Sequence, residues 1–197
     1  MMDWLIVGLG NPGKQYAETR HNIGWKVAET FASKYTSLAA QHDAVFKPGG
    51  GSWYEARCLV HHAHVLVILP TTYMNRSGIA VAHAARLYCI PTNQIVAIVD
   101  EYNFPVGRIH LKNSGSDGGH NGIASLIAEL GTPHFFRLRC GIDKRFGPNE
   151  LVEYVLAPFA PDELSARDSM ISSAIQALEL LITHGAAKAM QQVNTRP

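Results

Sequence analysis

Asn11, His21, Met74, Asn75, Asp100, His120 and Asn121 all stand in polar or glycine-bearing stretches that follow short apolar runs. Taken together they offer one imidazole, a carboxylate that could orient it, and several side-chain amides. An imidazole held by an aspartate can take a proton from water near neutral pH. The aspartate fixes the tautomer and stabilises the imidazolium as it forms. Asparagine amides and the N–H groups of a glycine loop can receive the oxyanion of a carbonyl under attack. This is a set for water-mediated hydrolysis of an activated acyl bond, most simply an ester. Other chemistries fit less well. No paired carboxylates suit glycoside hydrolysis, and no cysteine sits in a cationic loop. Ser114–Gly115–Ser116 is not a nucleophile elbow, because Asn113 and Ser114 stand where that motif needs glycine.

The elements that must position these groups follow from the pattern. Trp4–Val7 reads as a buried strand that breaks at Gly8 into GLGNPG, and the carboxyl ends of strands are where sites collect in open α/β sheets. GLGNPG also matches the dinucleotide fingerprint, but that motif needs a helix straight after the glycines and a second strand ending in an acid. Pro12 and KQYAETRHN postpone the helix, which we place from an Asn22 cap to about Tyr35, with Ile23, Val27, Phe31 and Tyr35 on one face. Thr36–Ser52 is polar and ends in KPGGGS, which predicts a mobile loop over 47–52. Strands over Trp53–Val60 and Val65–Leu69 flank an HHAH turn that lacks a carboxylate or cysteine at ligand spacing, so the turn is read as solvated and no metal is assigned. A helix begins near Ser77, with Ile79, Ala82, Arg86 and Cys89 spaced along it, and ends at Pro91.

Ile95–Val99 is a continuous apolar run, hence a central strand, ending in Asp100 and Glu101. Arg108–Lys112 alternates as a further strand. Asn113–Gly122 is a glycine- and serine-rich loop running into a helix that carries Leu126, Ile127 and Leu130 and stops at Gly131. Its N–H groups could converge on a phosphate or oxyanion; a plain turn capped by Asn121 is the alternative. Phe136, Leu138, Cys140 and Ile142 alternate with Arg137, Arg139 and Gly141, a strand with one buried and one basic face, and Lys144 and Arg145 extend the charge. Pro161, Asp162 and Glu163 open a long helix with a stripe of Leu164, Ile171, Ile175, Leu178 and Ile182; Gly185 interrupts it before AAKAMQQVN. The alternation predicts an α/β fold, a single three-layer α/β/α domain over 1–197 with a twisted sheet of mixed parallel and antiparallel strands.

Composition narrows the class without naming it. The 197 residues are 47% hydrophobic and 17% charged with a net charge of +1, so any nucleic-acid role needs a local basic patch. No apolar run approaches the roughly 18 residues of a membrane helix, and no signal-peptide pattern opens the chain. Cys58, Cys89 and Cys140 are odd in number and set among apolar residues, which reads as reduced core or near-core thiols and a cytoplasmic location.

GLGNPGKQYAETRHNIGW, TTYMNRSG, and DEYNFPVG followed by GSDGGHNG closely resemble the bacterial-type peptidyl-tRNA hydrolase family, and the likeness runs on through YVL-x-x-F (Tyr154 to Phe159) to the last helix. The resemblance implies cleavage of the ester joining a peptide to the terminal ribose of tRNA, sparing of aminoacyl-tRNA with a free amine, no cofactor, and a monomer with no obligate protein partner. By position, His21 matches the family's base and Asp100 its carboxylate partner. Asn11 and Asn75 match amides that hold the peptidyl part and polarise the carbonyl, Asn121 the residue that places the water, and His120 a substrate contact. Tyr16, Tyr73 and Met74 match the lining of the cleft. Lys112, Arg139, Lys144 and Arg145 are the candidates for tRNA phosphates, a form of recognition by backbone charge.

Three departures from the family pattern stand out. Leu69 takes the place of a lysine before T-Y-M-N, Asn103 and Phe104 replace the second acid and the leucine of D-x-D-L-P, and Gly141–Glu150 differs from the usual link. They bear on the surface contacts to tRNA. Two other classes fit the same residues: a catalytically inactive module that binds tRNA ends, and an esterase or amidase for small acylated molecules.

Overall fold

The computed structural model describes residues 2–36 and 46–195. Among these, seven strands form one mixed sheet: β1 (Trp4–Gly8), β2 (Lys47–Pro48), β3 (Trp53–Val60), β4 (Ala63–Pro70), β5 (Ile95–Glu101), β6 (Ile109–Asn113) and β7 (Phe136–Gly141). Their order is β2-β3-β4-β1-β5-β7-β6. The central strands β4, β1, β5 and β7 run parallel. Strand β3 is antiparallel to β4, β2 to β3, and β6 to β7. The helices are α1 (Ile23–Tyr35), α2 (Ser77–Leu87), α3 (Asn121–Leu130), α4 (Leu151–Leu156), α5 (Leu164–His184) and α6 (Ala186–Asn194).

The strand period of two sorts side chains into two cores, one on each face of the sheet. Ile6 of β1 packs with Val27 and Phe31 of α1 and Ile175 and Leu178 of α5. Its neighbours Leu5 and Val7 pack with Val81 of α2 and Ile123 and Leu126 of α3. Because both faces of β1 and β5 are covered, these strands read as unbroken apolar runs. Gly24, in the first turn of α1, lies against the backbone of Leu9 and Ile98, where a Cβ would strike both carbonyls. This close approach sets the turn before α1 directly over the carboxyl ends of β1 and β5.

Five local expectations need correction. On α2 the buried face is Gly78, Val81, Ala84 and Ala85, whereas Ile79, Arg86 and Cys89 lie outside. The reason is packing: Gly78 meets the Ser125 backbone of α3 so closely that small residues, not the larger Ile79, must face inward. Cys89 is exposed, in a left-handed conformation (φ 54°) after the helix, and is not a core thiol. The 47–52 glycines form a tight hairpin in place of an open loop; Gly49 and Gly51 flank the Trp53 ring, which leaves no room for a Cβ. The 37–45 part of the polar stretch lies outside the described residues. Strand β7 is not half exposed: it is hydrogen-bonded on both edges, and Arg137 is 3% exposed. On α5 the stripe runs Ile171, Ile175, Leu178 and Leu181, with Leu164 37% exposed in the first turn, short of the core. The helix α4 was legible only as part of a motif.

Candidate active site

The carboxyl ends of β1, β4 and β5 deliver the groups that could do chemistry. Asn11 follows β1, Tyr73 to Asn75 follow β4, and Asp100 closes β5. His21 sits in a 3-10 turn, Arg20–Asn22, that leads into α1. Asp100 is buried, and its Oδ1 receives two imidazoles: Nδ1–H of His21 at 2.8 Å and Nε2–H of His120 at 3.0 Å. The two rings lie 5.3 Å apart, centre to centre.

The tautomer of His120 is dictated by its backbone neighbours. Its Nδ1 accepts from the N–H groups of Gly122 and Ile123, at 3.1 and 3.3 Å, as the N-cap of α3. The proton of the neutral ring is therefore on Nε2, aimed at Asp100. Two expectations change here. The cap of α3 is His120, not Asn121, and it takes up two of the helix donors that a phosphate or oxyanion would have used. Asn22 likewise makes no side-chain cap for α1. Its Oδ1 accepts from Asn11 N–H and its Nδ2 donates to Asn11 C=O, each at 2.9 Å. Asn11 is thus clamped at its backbone, while its side-chain Oδ1 accepts from Met74 N–H at 2.8 Å.

The electrostatics follow from this packing. Burial alone would lower the pKa of His21, but the charge of Asp100 and the hydrogen bond to it outweigh burial and raise it above 6.5. Burial pushes the Asp100 carboxyl up, yet the two imidazoles hold it well below the usual range. Cys140, paired in register with Asp100, is pushed up to about 12, first by burial and then by that carboxylate, so its thiol stays protonated. Among the described residues, His21, Asp100 and His120 are also the one group of such side chains close enough together to hold an ion. The two direct hydrogen bonds to Oδ1 account for that closeness.

One cavity brings His21, Asp100, His120 and Asn121 together with Lys112 and Arg139. Asn121 is exposed within it. Met74 is buried and adjoins the His120 ring across Gly122, where a side chain would strike both. Tyr73 (58% exposed) and Asn75 lie at the surface beside Met74, and Tyr16 is half-buried in a short turn after Gly13; none of these, nor Asn11 or Met74, lines the cavity.

The four candidate phosphate contacts divide. Lys112 and Arg139 line the cavity, whereas Lys144 and Arg145 do not. Arg139 is held by the Glu101 carboxylate, with Nε at 2.9 Å, and lies over the Phe104 ring. Burial, then Arg139 and Arg137, lower the pKa of Lys112. Arg145 bonds Asp143 at 2.8 Å, and Lys144 lies near the Tyr102 ring. Arg137, expected on a basic surface, instead donates to the Gly115, Ser116 and Pro133 carbonyls and so anchors the glycine loop. Glu101, Arg137 and Asn22 are the contributors that the residue pattern did not single out. Glu101 had a signal, being an acid one position after Asp100 at a strand end. The other two had none, because each acts on backbone groups that only the folded loops bring to it.

The chain resembles known proteins along nearly its whole length. Residues 5–197 match the family model described as peptidyl-tRNA hydrolase. The chain is 44% identical over 191 residues to peptidyl-tRNA hydrolase of Symbiobacterium thermophilum, covering 97% of this chain and 98% of that protein. It is 40% identical to the protein of that name from Syntrophotalea carbinolica, covering 98% and 97%. The crystal structure of peptidyl-tRNA hydrolase from Acinetobacter baumannii superposes with a TM-score of 0.87 at 34% identity, covering 99% of this chain and 97% of that one. The chain belongs to the peptidyl-tRNA hydrolase family.

Proposed function

We propose that this protein hydrolyses the ester between a peptide, or an N-blocked aminoacyl group, and the 3′-terminal ribose of tRNA, with His21 as general base. The observation that carries the reading is the single carboxylate oxygen of Asp100 bonded to His21 Nδ1–H, which leaves Nε2 as the basic atom. Nε2 takes a proton from a water molecule as its oxygen attacks the ester carbonyl. The imidazolium so formed is stabilised by Asp100. The tetrahedral oxyanion collapses, the C–O bond to the ribose breaks, and the ribose oxygen receives the proton from Nε2. The products are a free carboxylate and a tRNA ending in a hydroxyl.

The amides divide the remaining work. With Asn11 Oδ1 committed to Met74 N–H, its Nδ2 donors are the part of that amide left for a substrate carbonyl. Asn121 orients the attacking water, and Asn75 receives the peptidyl part along the surface that Tyr16 and Tyr73 form over the buried Met74. His120 contacts the substrate from the cavity wall while it bonds Asp100 and caps α3. Lys112 and Arg139 take tRNA phosphate inside the cavity mouth, and Lys144 and Arg145 lie further along the backbone path. The reading includes a single domain over 1–197, a cytoplasmic monomer without an obligate protein partner or cofactor. Family membership and the intact His21–Asp100 pair lend no support to an inactive tRNA-end module or a small-molecule esterase.

The test is release of N-acetylated amino acid from N-acetyl-aminoacyl-tRNA, with unblocked aminoacyl-tRNA alongside. Cleavage of the blocked substrate alone, inhibited by deacylated tRNA, is expected. Equal cleavage of a small ester with indifference to tRNA would overturn the reading.

A further inference from the structure

Arg20 precedes His21, is buried, and ties three segments together. Its Nη2 meets Glu163 Oε2 at 2.6 Å, and its Nη1 donates to the Pro158 carbonyl. The guanidinium carbon lies 4.5 Å from the centre of the Tyr154 ring and 5.2 Å from that of Phe159. Its backbone N–H donates to Ala157 C=O at 3.0 Å, and Thr19 pairs with Pro158 as an isolated antiparallel bridge. Glu163 is also buried; Oε2 accepts from Ala160 N–H at 2.6 Å, and Oε1 faces Arg145 Nη1 at 3.8 Å. Tyr154 belongs to α4, whose Leu151, Val152 and Val155 line the cavity that holds His21. The turn that carries His21 is therefore gripped on one side by Asp100 and on the other by this buried post.

We propose that the Arg20–Glu163 pair is a positioning device for His21, holding its turn against α4 and the start of α5 so that Nδ1–H stays on Asp100. The inference rests on the reading of His21 as the base. A guanidinium suits the task where an ammonium does not. It serves two acceptors at fixed angles and stacks on aromatic faces, so it fixes orientation as well as charge. Arg20 donates to acceptors on two other stretches, Pro158 C=O and the Glu163 carboxylate, and a lysine could satisfy the charge but not the stack. Displacement of a catalytic group by about 1 Å can cost about 100-fold in rate. A buried pair that served only the fold would show no such cost once the protein is folded.

The experiment compares Arg20→Lys, Glu163→Gln and the double variant with wild type. Leu178→Ala, a core truncation at a residue that does not line the His21 cavity, serves as a stability control. Each is assayed on N-acetyl-aminoacyl-tRNA well below its Tm, and the His21 imidazole is titrated by 15N NMR. The expected result is a fall in kcat of at least about tenfold with KM within about twofold, in both single variants. The double variant is no worse than the worse single, because the two residues act through one another. The His21 titration moves down as its bond to Asp100 loosens, while Leu178→Ala leaves both readouts in place. Phe159→Leu, which keeps the ion pair and loosens the stack, gives the same pattern at smaller amplitude where an ion-pair variant does not fold. Unchanged kcat and an unchanged His21 titration in folded Glu163→Gln overturn the proposal, as does an equal loss in Leu178→Ala. A wild-type protein that does not cleave the ester defeats the catalytic reading instead, and the titration still decides the positioning.

Discussion

Asp100→Asn isolates what the carboxylate contributes to His21. The substitution keeps the volume and an oxygen that can accept from His21 Nδ1–H and His120 Nε2–H, the two bonds of 2.8 and 3.0 Å seen at Oδ1. It removes the charge that stabilises the imidazolium. A hydrogen bond to a charged group contributes about 1.5–3 kcal/mol. If that contribution is realised in the transition state, a scale of about 1.36 kcal/mol per decade converts it to about 10- to 150-fold in rate. An amide turned with its NH2 toward His21 would force the opposite tautomer, and in the serine-protease case that error reaches about 10,000-fold. The expected loss in kcat therefore lies between about 10- and 10,000-fold. The pH profile gives a sharper test. In the wild type the Asp100 charge and hydrogen bond raise the pKa of His21 against burial. Without the charge, burial dominates and the pKa falls. A general base works in its unprotonated form, so the acid limb of kcat/KM moves to lower pH while the plateau drops. The assay is cleavage of N-acetyl-aminoacyl-tRNA from pH 5 to 9 (a span of about four decades in proton concentration). A plateau within about threefold of wild type, or an acid limb that stays in place, refutes the pairing of His21 with Asp100 as the source of basicity.

Other outcomes follow from the same geometry. Asn22→Ala removes both clamps on the Asn11 backbone, leaving two partly desolvated groups at a cost of about 1–3 kcal/mol each; a lower Tm together with a fall in kcat is expected, and an unchanged kcat would detach Asn11 from the chemistry. Lys112→Ala should lower the salt slope of tRNA binding by about 1, since it lies in the His21 cavity. Charge reversal at Lys144 should weaken binding without changing kcat at saturation, because it stands outside that cavity; a kcat effect there would place the acceptor end elsewhere. Thiol labelling of the native protein at pH 8 should modify Cys89, which is exposed, and spare Cys140, which is buried with its pKa pushed up to about 12. Rapid labelling of Cys140 would mean that β7 opens readily.

Much of this architecture is written in local pattern. The apolar runs of β1 and β5, the stop at Gly131 (φ 69°) and the alternating β6 follow from rules that act within a few residues. The residues around Asp100 are legible because imidazoles, amides and a carboxylate fall together at the carboxyl ends of apolar runs, where sites collect, and because their motifs resemble a family. What escaped the pattern depends on partners far away in the chain. Arg137 looked like surface charge because alternation puts it opposite Leu138; only the folded glycine loop supplies the carbonyls that draw it inward. Asn22 and His120 each stood where a helix begins, but the clamp of Asn11 kept Asn22 from capping, and the position of Asp100 made His120 the cap in place of Asn121. The spacing of Ile79, Ala82, Arg86 and Cys89 marks α2 as a helix but not which face it buries, because the close approach of α2 and α3 at Gly78 demands small residues there. The Arg20–Glu163 pair spans 143 positions, and no local rule connects its ends.

Removal of the water proton by His21 Nε2 is the step on which the proposed reaction turns. The most direct measurement is single-turnover cleavage of N-acetyl-aminoacyl-tRNA by wild type and His21→Ala, with tRNA affinity measured on both. A rate loss of about 100- to 10,000-fold is expected with affinity for tRNA preserved, because the proposed phosphate contacts do not include this ring. A variant within a few-fold of wild type, or one whose loss lies wholly in tRNA affinity, would contradict it.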